Sequence, residues 1–387
     1  MLSPGGAVRK SILVISATAG AGHLRAGEAL AAAAESMPDP PAISHSDILE
    51  FTTPLFRALY SKTYYAVVSS SPELWGYLYD RSDRAGRPRG KAPLLKLFDH
   101  FNFKKYLRRL EELKPDAVVC THFLPYLAIE DKILARNWKI PFYSVPTDYA
   151  VHSLWVSRAV RRFYAATEEA AWSIRSHGIP KGRISVSGIP VMPAFVHSTD
   201  RAAAAKRLGL SPSLSTVLIL SGGYGVGIVD TLVPSVSGFL AGKKPKRFQL
   251  IVVCGKNPGL HARLSRIKYP PNVEVTLYKF IPFVDAVMAC SDVLITKAGG
   301  LTVSEALASN LPMVILDPFP GQEGRNADYV VEEGAATFAA GFSNLHYKLD
   351  TLIGDPPRLQ AMRRRARAIA KPNAARDILD DVLRSIS

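Results

Sequence analysis

The chain has 387 residues, 48% hydrophobic and 21% charged, enough to bury full cores in two domains of ordinary size. No uninterrupted apolar run approaches the roughly 18 residues of a membrane span, and Cys120, Cys254 and Cys290 are too few and too scattered for a disulfide framework or a zinc site. The formal charge of +15 calls for a surface or partner of opposite sign, and the cytoplasm is the expected compartment.

Arg9 and Lys10 precede an apolar run at 12–16, too short for a signal sequence, which reads as the first core strand. Gly20, Gly22 and His23 follow it and lead into a helix expected over 24–34. A histidine there faces the ligand edge of the domain, and an imidazole near its ordinary pKa can take a proton from an alcohol. A turn histidine without chemistry is the plain alternative. Arg25 stands where the dinucleotide fingerprint needs glycine, and no Gly-Lys-Ser/Thr ending makes an ATPase loop. Asp47 and the aromatics of 51–79, Phe56, Tyr60, Tyr64, Tyr65, Trp75, Tyr77 and Tyr79, form an apolar, hydroxyl-bearing region.

Residues 81–109 carry much of the charge excess, with cations such as Lys104, Lys105, Arg108 and Arg109 interleaved with Phe98, Phe101, Phe103, Tyr106 and Leu107. Such a mixture suits an anionic membrane surface, with cations at the headgroups and apolar groups inserted shallowly. Nucleic acid is the competing partner, and a solvated helix face with aromatics turned inward is the third reading. Asp148, His152 and Trp155 leave another strand end. Asp148 can orient a histidine or meet an acceptor hydroxyl, and Trp155 can line an apolar channel; a structural cap and a core indole are equally compatible.

Strand-like runs at 12–16, 117–120, 142–145, 162–165 and 184–186 alternate with helical stretches. After the proline-broken segment 188–195 the style repeats at 216–220, 249–253, 273–277, 293–296 and 313–316. The pattern predicts an α/β protein of two doubly wound domains, 1–195 and 200–387, with a final helix after Pro372 returning to the first. Ser221, Gly222 and Gly223 form one glycine loop; Gly299 and Gly300 form another, opening a helix over 301–308 whose N-terminus suits an anion. Glu305, about one turn in, suits a ribose diol. Phe280 and Ile281 lie between the glycine loops, and a loop over 317–326 brings Gln322, Glu323 and Asn326 to the carboxyl edge of the sheet. A basic cluster at 363–367 reads as an exposed helix face. No metal-ligand spacing is present, so no metal or other cofactor is expected.

On Gly20 to His23, Asp47 to Trp75, Thr147 and Asp148 with His152 and Trp155, Ser221 to Gly223, Thr296 to Gly300, Ser304 to Ala306 and Gly321 to Asn326, nearly the whole chain resembles the monogalactosyldiacylglycerol synthase and processive diacylglycerol glucosyltransferase family. These are inverting glycosyltransferases of the GT-B fold, related to the peptidoglycan N-acetylglucosaminyltransferase, with two Rossmann-like domains facing a cleft. The resemblance implies that Glu305 binds the ribose of UDP-glucose or UDP-galactose. Ser221, Gly222, Gly223, Gly299 and Gly300 would line the diphosphate, Phe280 and Ile281 the uracil, and Gln322, Glu323 and Asn326 the hexose. His23 is the implied base, with Asp148 as the second candidate; Gly22, His152 and Trp155 lie on the acceptor side. Diacylglycerol is the implied acceptor, taken from an anionic membrane surface by a peripheral protein on the inner face of the cell membrane. Lys297 and Ala298 are read as mattering less than the glycines beside them. A lipid acceptor of another kind and a UDP-sugar 2-epimerase remain as alternatives.

Overall fold

The computed structural model describes residues 9–18, 20–58, 60, 81, 83, 93–135, 138–197, 199–220, 222 and 228–387, with backbone alone over 93–101. Ser221, Gly223, and the aromatics from Tyr64 to Tyr79 lie outside the described residues. The chain forms two compact units. One comprises Met1–Pro193 with Pro320–Gln322 and Asn373–Ser387, the other Ala194–Phe319 with Glu323–Pro372.

The first unit holds β1 (Ser11–Ser16), β2 (Ala42–Asp47), β3 (Ala117–Cys120), β4 (Phe142–Ser144), β5 (Val160–Ala165) and β6 (Ile184–Val186). They form one parallel sheet in the order β2-β1-β3-β4-β5-β6. The strand β2 was not among the expected runs because Ser44, His45, Ser46 and Asp47 give it no apolar signal; it is an edge strand, half-buried throughout. Helix α1 (Ala21–Glu35) starts earlier than the expected 24, which puts His23 in its first turn. Its buried face is built from Ala26, Gly27, Ala29, Leu30, Ala33 and Ala34, small residues that let it lie close to the sheet. At Gly27 a Cβ would collide with the His45 imidazole and the Ser16 hydroxyl, so this position requires glycine for space.

Helix α2 (Pro93–Leu113) is kinked at Phe103 (φ −110°, ψ 16°). Phe103, Tyr106, Leu107 and Leu110, at helical spacing, are buried in the first core, while Lys104, Lys105 and Arg108 are exposed and Arg109 is half-buried. This corrects the expectation that the apolar groups of this segment insert into a membrane: Phe103, Tyr106 and Leu107 belong to the core, because the helix turns one face to the sheet.

In the second unit β7 (Ser215–Leu220), β8 (Phe248–Val253), β9 (Val273–Tyr278), β10 (Val293–Thr296), β11 (Met313–Leu316) and β12 (Ala336–Ala339) form a parallel sheet ordered β12-β11-β10-β7-β8-β9. Helix α3 (Val229–Ala241) follows β7, α4 (Gly300–Ala308) follows β10 and α5 (Gln322–Glu332) follows β11. The expected loop over 317–326 is therefore shorter than anticipated: Gln322, Glu323 and Asn326 stand on a helix. Helix α6 (Pro356–Ile369) carries the basic cluster of 363–367, where Arg364, Arg365 and Arg367 are exposed as expected and Arg363 is half-buried. Arg363 and Arg201 both bond Asp292, at 2.9 Å each, and Arg365 bonds Glu333. The last helix, α7 (Ala374–Ile386), buries Ala375, Ile378, Leu379 and Val382 with Leu30 of α1 and Ile12 of β1, and its Asp381 accepts from Arg162 and Tyr164 of β5. The final segment is thus part of the first unit's core.

Candidate active site

In each sheet the strand order reverses once, between β1 and β3 in the first unit and between β7 and β10 in the second. At such a point the loops after the two neighbouring strands diverge to opposite faces and leave a crevice at the carboxyl edge, where doubly wound sheets bind ligands. His23 in the first unit and Gly222, Gly299 and Gly300 in the second follow the strands at these reversals.

After β1 comes His23 and after β3 come Thr121 and His122. The Nδ1 of His23 is 2.9 Å from the Thr121 carbonyl oxygen and 2.8 Å from Thr147 Oγ1. A carbonyl can only accept, so the single proton of the neutral ring sits on Nδ1 and Nε2 carries the free lone pair. The supports are themselves fixed. Thr121 Oγ1 donates to the His23 carbonyl at 2.9 Å, Ser16 Oγ lies 2.8 Å from Thr121 Oγ1, and His45 Nε2 lies 2.7 Å from Ser16 Oγ. Asp47 caps the turn after β2, accepting from the amide of Leu49 and from Thr18.

His122 was not singled out from the sequence. Its ring is buried, meets His23 edge to face at 4.7 Å, and accepts from the Leu124 amide through Nδ1 at 3.1 Å. That leaves its proton on Nε2, toward the Tyr60 hydroxyl at 3.5 Å. The only local signal was a histidine directly after a strand end. Trp155 packs near both imidazoles, at 6.2 and 6.0 Å between ring centroids, and is itself almost fully buried. His152 is also buried, and its Nδ1 accepts from the Leu154 amide at 3.1 Å, capping a short turn. Its Nδ1 therefore serves the fold. Asp148, half-buried, directly follows Thr147 on the loop after β4, while Gly22 precedes His23 in the first turn of α1.

Burial lowers the His23 pKa from 6.5 to about 4, only partly offset by the Thr121 carbonyl. His122 is held well below its usual value by burial and by His23 beside it, and His45 is lowered by burial. All three imidazoles are thus kept neutral at neutral pH.

In the second unit Gly222 follows β7 in the left-handed region (φ 73°), on a strand end adjacent to that of β10. The turn after β10 differs from expectation in where its strain sits. Ala298, a residue with a Cβ, takes the left-handed conformation (φ 69°), whereas Gly299 is extended (φ −60°) and caps α4. An L-residue held there costs about 1–3 kcal/mol and needs its surroundings to hold it. Asn326 does so: it is fully buried, and its Nδ2 donates to the Ala298 carbonyl at 3.1 Å. Asn326 is thus a buttress of the turn.

Glu323 accepts from the Phe319 amide at 2.8 Å and flanks Gly299, where an added Cβ would lie 3.8 Å from its Oε1. Glu305 lies in the second turn of α4, almost fully buried, and Gly300 opens that helix. Phe280 is half-exposed beyond the end of β9, with Lys256 Nζ 5.4 Å from its ring centroid, while Ile281 is buried. Gln322 is the first residue of α5.

The unfolded chain protonates an ordinary histidine below about pH 6.5, whereas folded His23 resists until about 4. Between those values the unfolded state binds more protons, so the contribution is complete above 6.5 and is lost as the pH falls toward 4. Denaturant midpoints at pH 7 and pH 5 check this. The wild type loses stability over that interval and His23→Gln loses less; equal losses would contradict the burial of this imidazole.

A model of the monogalactosyldiacylglycerol (MGDG) synthase family matches residues 23–191, and one of the glycosyltransferase family 28 C-terminal domain matches residues 216–382. A processive diacylglycerol beta-glucosyltransferase of Bacillus mycoides (strain KBAB4) is 30% identical over 287 residues, 74% of this chain and 72% of the relative. Another so named, of Bacillus subtilis (strain 168), is 24% identical over 380 residues, 97% of this chain and 95% of the relative. Among solved structures, MurG of Acinetobacter baumannii has a TM-score of 0.61 at 18% identity, covering 97% of this chain and all (100%) of that one. The S. aureus MnaA–UDP co-structure has a TM-score of 0.63 at 15% identity, covering 96% and 95%. At these identities the structures establish the fold, a two-domain GT-B-like architecture.

Proposed function

The chain belongs to the glycosyltransferase family of monogalactosyldiacylglycerol synthases and processive diacylglycerol beta-glucosyltransferases, and from that premise we propose that it transfers a hexose from a UDP-sugar to the hydroxyl of diacylglycerol, with inversion. The relatives' name favours glucose as the hexose. A UDP-sugar 2-epimerase, a reading the fold alone permits, has less support, because both matching family models are of transferases.

The observation that carries the mechanism is the fixed tautomer of His23. In a single displacement the acceptor oxygen forms a bond to the anomeric carbon as the bond from that carbon to the diphosphate oxygen breaks. The hydroxyl proton passes to His23 Nε2 and UDP leaves with the electron pair. A base with a pKa of about 4 does not ionise an alcohol beforehand. It takes the proton while the new bond forms, when the hydroxyl has become acidic. Asp148, next to Thr147, is the second candidate for this role. The leaving diphosphate meets the N-terminus of α4, where unpaired amides and the helix dipole favour negative charge. Glu305 takes the ribose, and we read the reaction as independent of metal.

Peripheral binding at the inner face of the cell membrane completes the proposal. The exposed cations of α2 supply the attraction, on the order of 1 kcal/mol each near anionic headgroups. Among the described residues no helix is long and apolar enough to cross a membrane.

His23→Ala is expected to keep UDP-sugar binding while transfer falls by about 10²- to 10⁴-fold, the range of general acid–base catalysis; full transfer would move the base role to Asp148. Replacing Lys104, Lys105, Arg108 and Arg109 by Gln is expected to weaken sedimentation with anionic vesicles, as added salt does for the wild type. Unchanged sedimentation would leave these cations as a solvated face.

A further inference from the structure

Lys297 follows directly on β10, at the strand-order reversal of the second sheet, and precedes the strained Ala298 turn by one residue. It lines a cavity at the carboxyl ends of β7, β10 and β11 together with Leu220, Ile228, Val229, Thr296 and Leu316. Among the described residues that line this cavity, Lys297 alone bears a charge. The side chain is half-buried and its ammonium lies 3.9 Å over the Phe319 ring. Burial lowers its pKa, while Glu323 and Asp317 act in the opposite direction and favour the cation.

A lysine in an apolar-walled crevice, resting on an aromatic face, holds its charge at the strand end, where Glu323 and Asp317 favour the cation. The amides that open α4 begin three residues farther along, so cation and helix N-terminus converge on one strand end. The four-carbon stem lets the ammonium move as a point charge.

We infer that Lys297 leaves the Phe319 ring to contact the diphosphate oxygens of the bound nucleoside diphosphate and to hold the negative charge that grows there as the sugar departs. The inference rests on the nucleotide reading of this unit. It assigns to the lysine the role that the sequence pattern had left to the glycines.

Binding of uridine, UMP and UDP to the full-length wild type, Lys297→Met and Lys297→Arg, measured by calorimetry, tests it. Lys297→Met is expected to lower UDP affinity about ten- to hundred-fold, the effect of removing a charge-assisted bond. Uridine affinity stays at the wild-type value in the same variant, and Lys297→Arg retains most of the UDP affinity. Wild-type UDP affinity in Lys297→Met overturns the inference and leaves the nucleotide site standing. An equal fall for uridine and UDP also overturns it, because the lysine would then support the fold of the pocket. If the wild type binds neither uridine nor UDP, the nucleotide reading itself fails, and the inference with it.

Discussion

The hydrogen bond from His23 Nδ1 to the Thr121 carbonyl is the constraint on which the chemistry proposed for the first unit depends. It decides which nitrogen holds the proton and which is basic. It exists only because β1 and β3 are neighbours, so that the first turn of α1 meets the residue after β3. The partner is itself locked, since Thr121 donates to the His23 carbonyl, Ser16 lies within hydrogen-bond distance of Thr121, and His45 closes the network from β2. Gly27 lets α1 approach closely enough for this, at a point where one methyl group would strike both His45 and Ser16. Small residues on a helix, a polar edge strand and a neutral imidazole are thus consequences of one geometry.

The donor site proposed for the second unit poses a different electrostatic problem on the same topology. A diphosphate needs positive potential without a deep charge that is costly when the site is empty. The N-terminus of α4 offers roughly half an elementary charge from backbone alone. The left-handed Ala298 turn orients that helix, with its carbonyl tied to buried Asn326. Lys297 adds a full charge that rests against Phe319. Cation and strain occupy consecutive positions, Lys297 and Ala298, and the buttress Asn326 reaches them from α5, so the turn is a unit whose parts have separate tasks.

Most of the fold was legible because buried parallel strands are short, β-branched and apolar, and the expected runs fall on strands of the two sheets. The strands β2 and β12 escaped for the same physical reason inverted: an edge strand is half-exposed, and SHSD or ATFA carries no apolar run. His23 was legible from its place after a glycine turn, but His122 was not, since its relation to His23 arises from strand order. The backbone-supporting roles of His152 and Asn326 were not legible because a polar side chain at a loop looks the same in sequence whether it faces a ligand or caps backbone. Only the bonds to Leu124, Leu154 and Ala298 separate those uses. Phe103 and Tyr106 of α2, expected at a membrane surface, lie in the core at helical spacing.

The central claim is transfer of a hexose to a lipid hydroxyl. Incubation of the purified protein with diacylglycerol in anionic vesicles and labelled UDP-glucose or UDP-galactose, followed by separation of the lipids, tests it most directly. The account predicts label in the glycolipid, from UDP-glucose in preference to UDP-galactose. An unlabelled lipid fraction with both donors, while UDP still binds, would contradict it and return the acceptor, or the reaction class itself, to question.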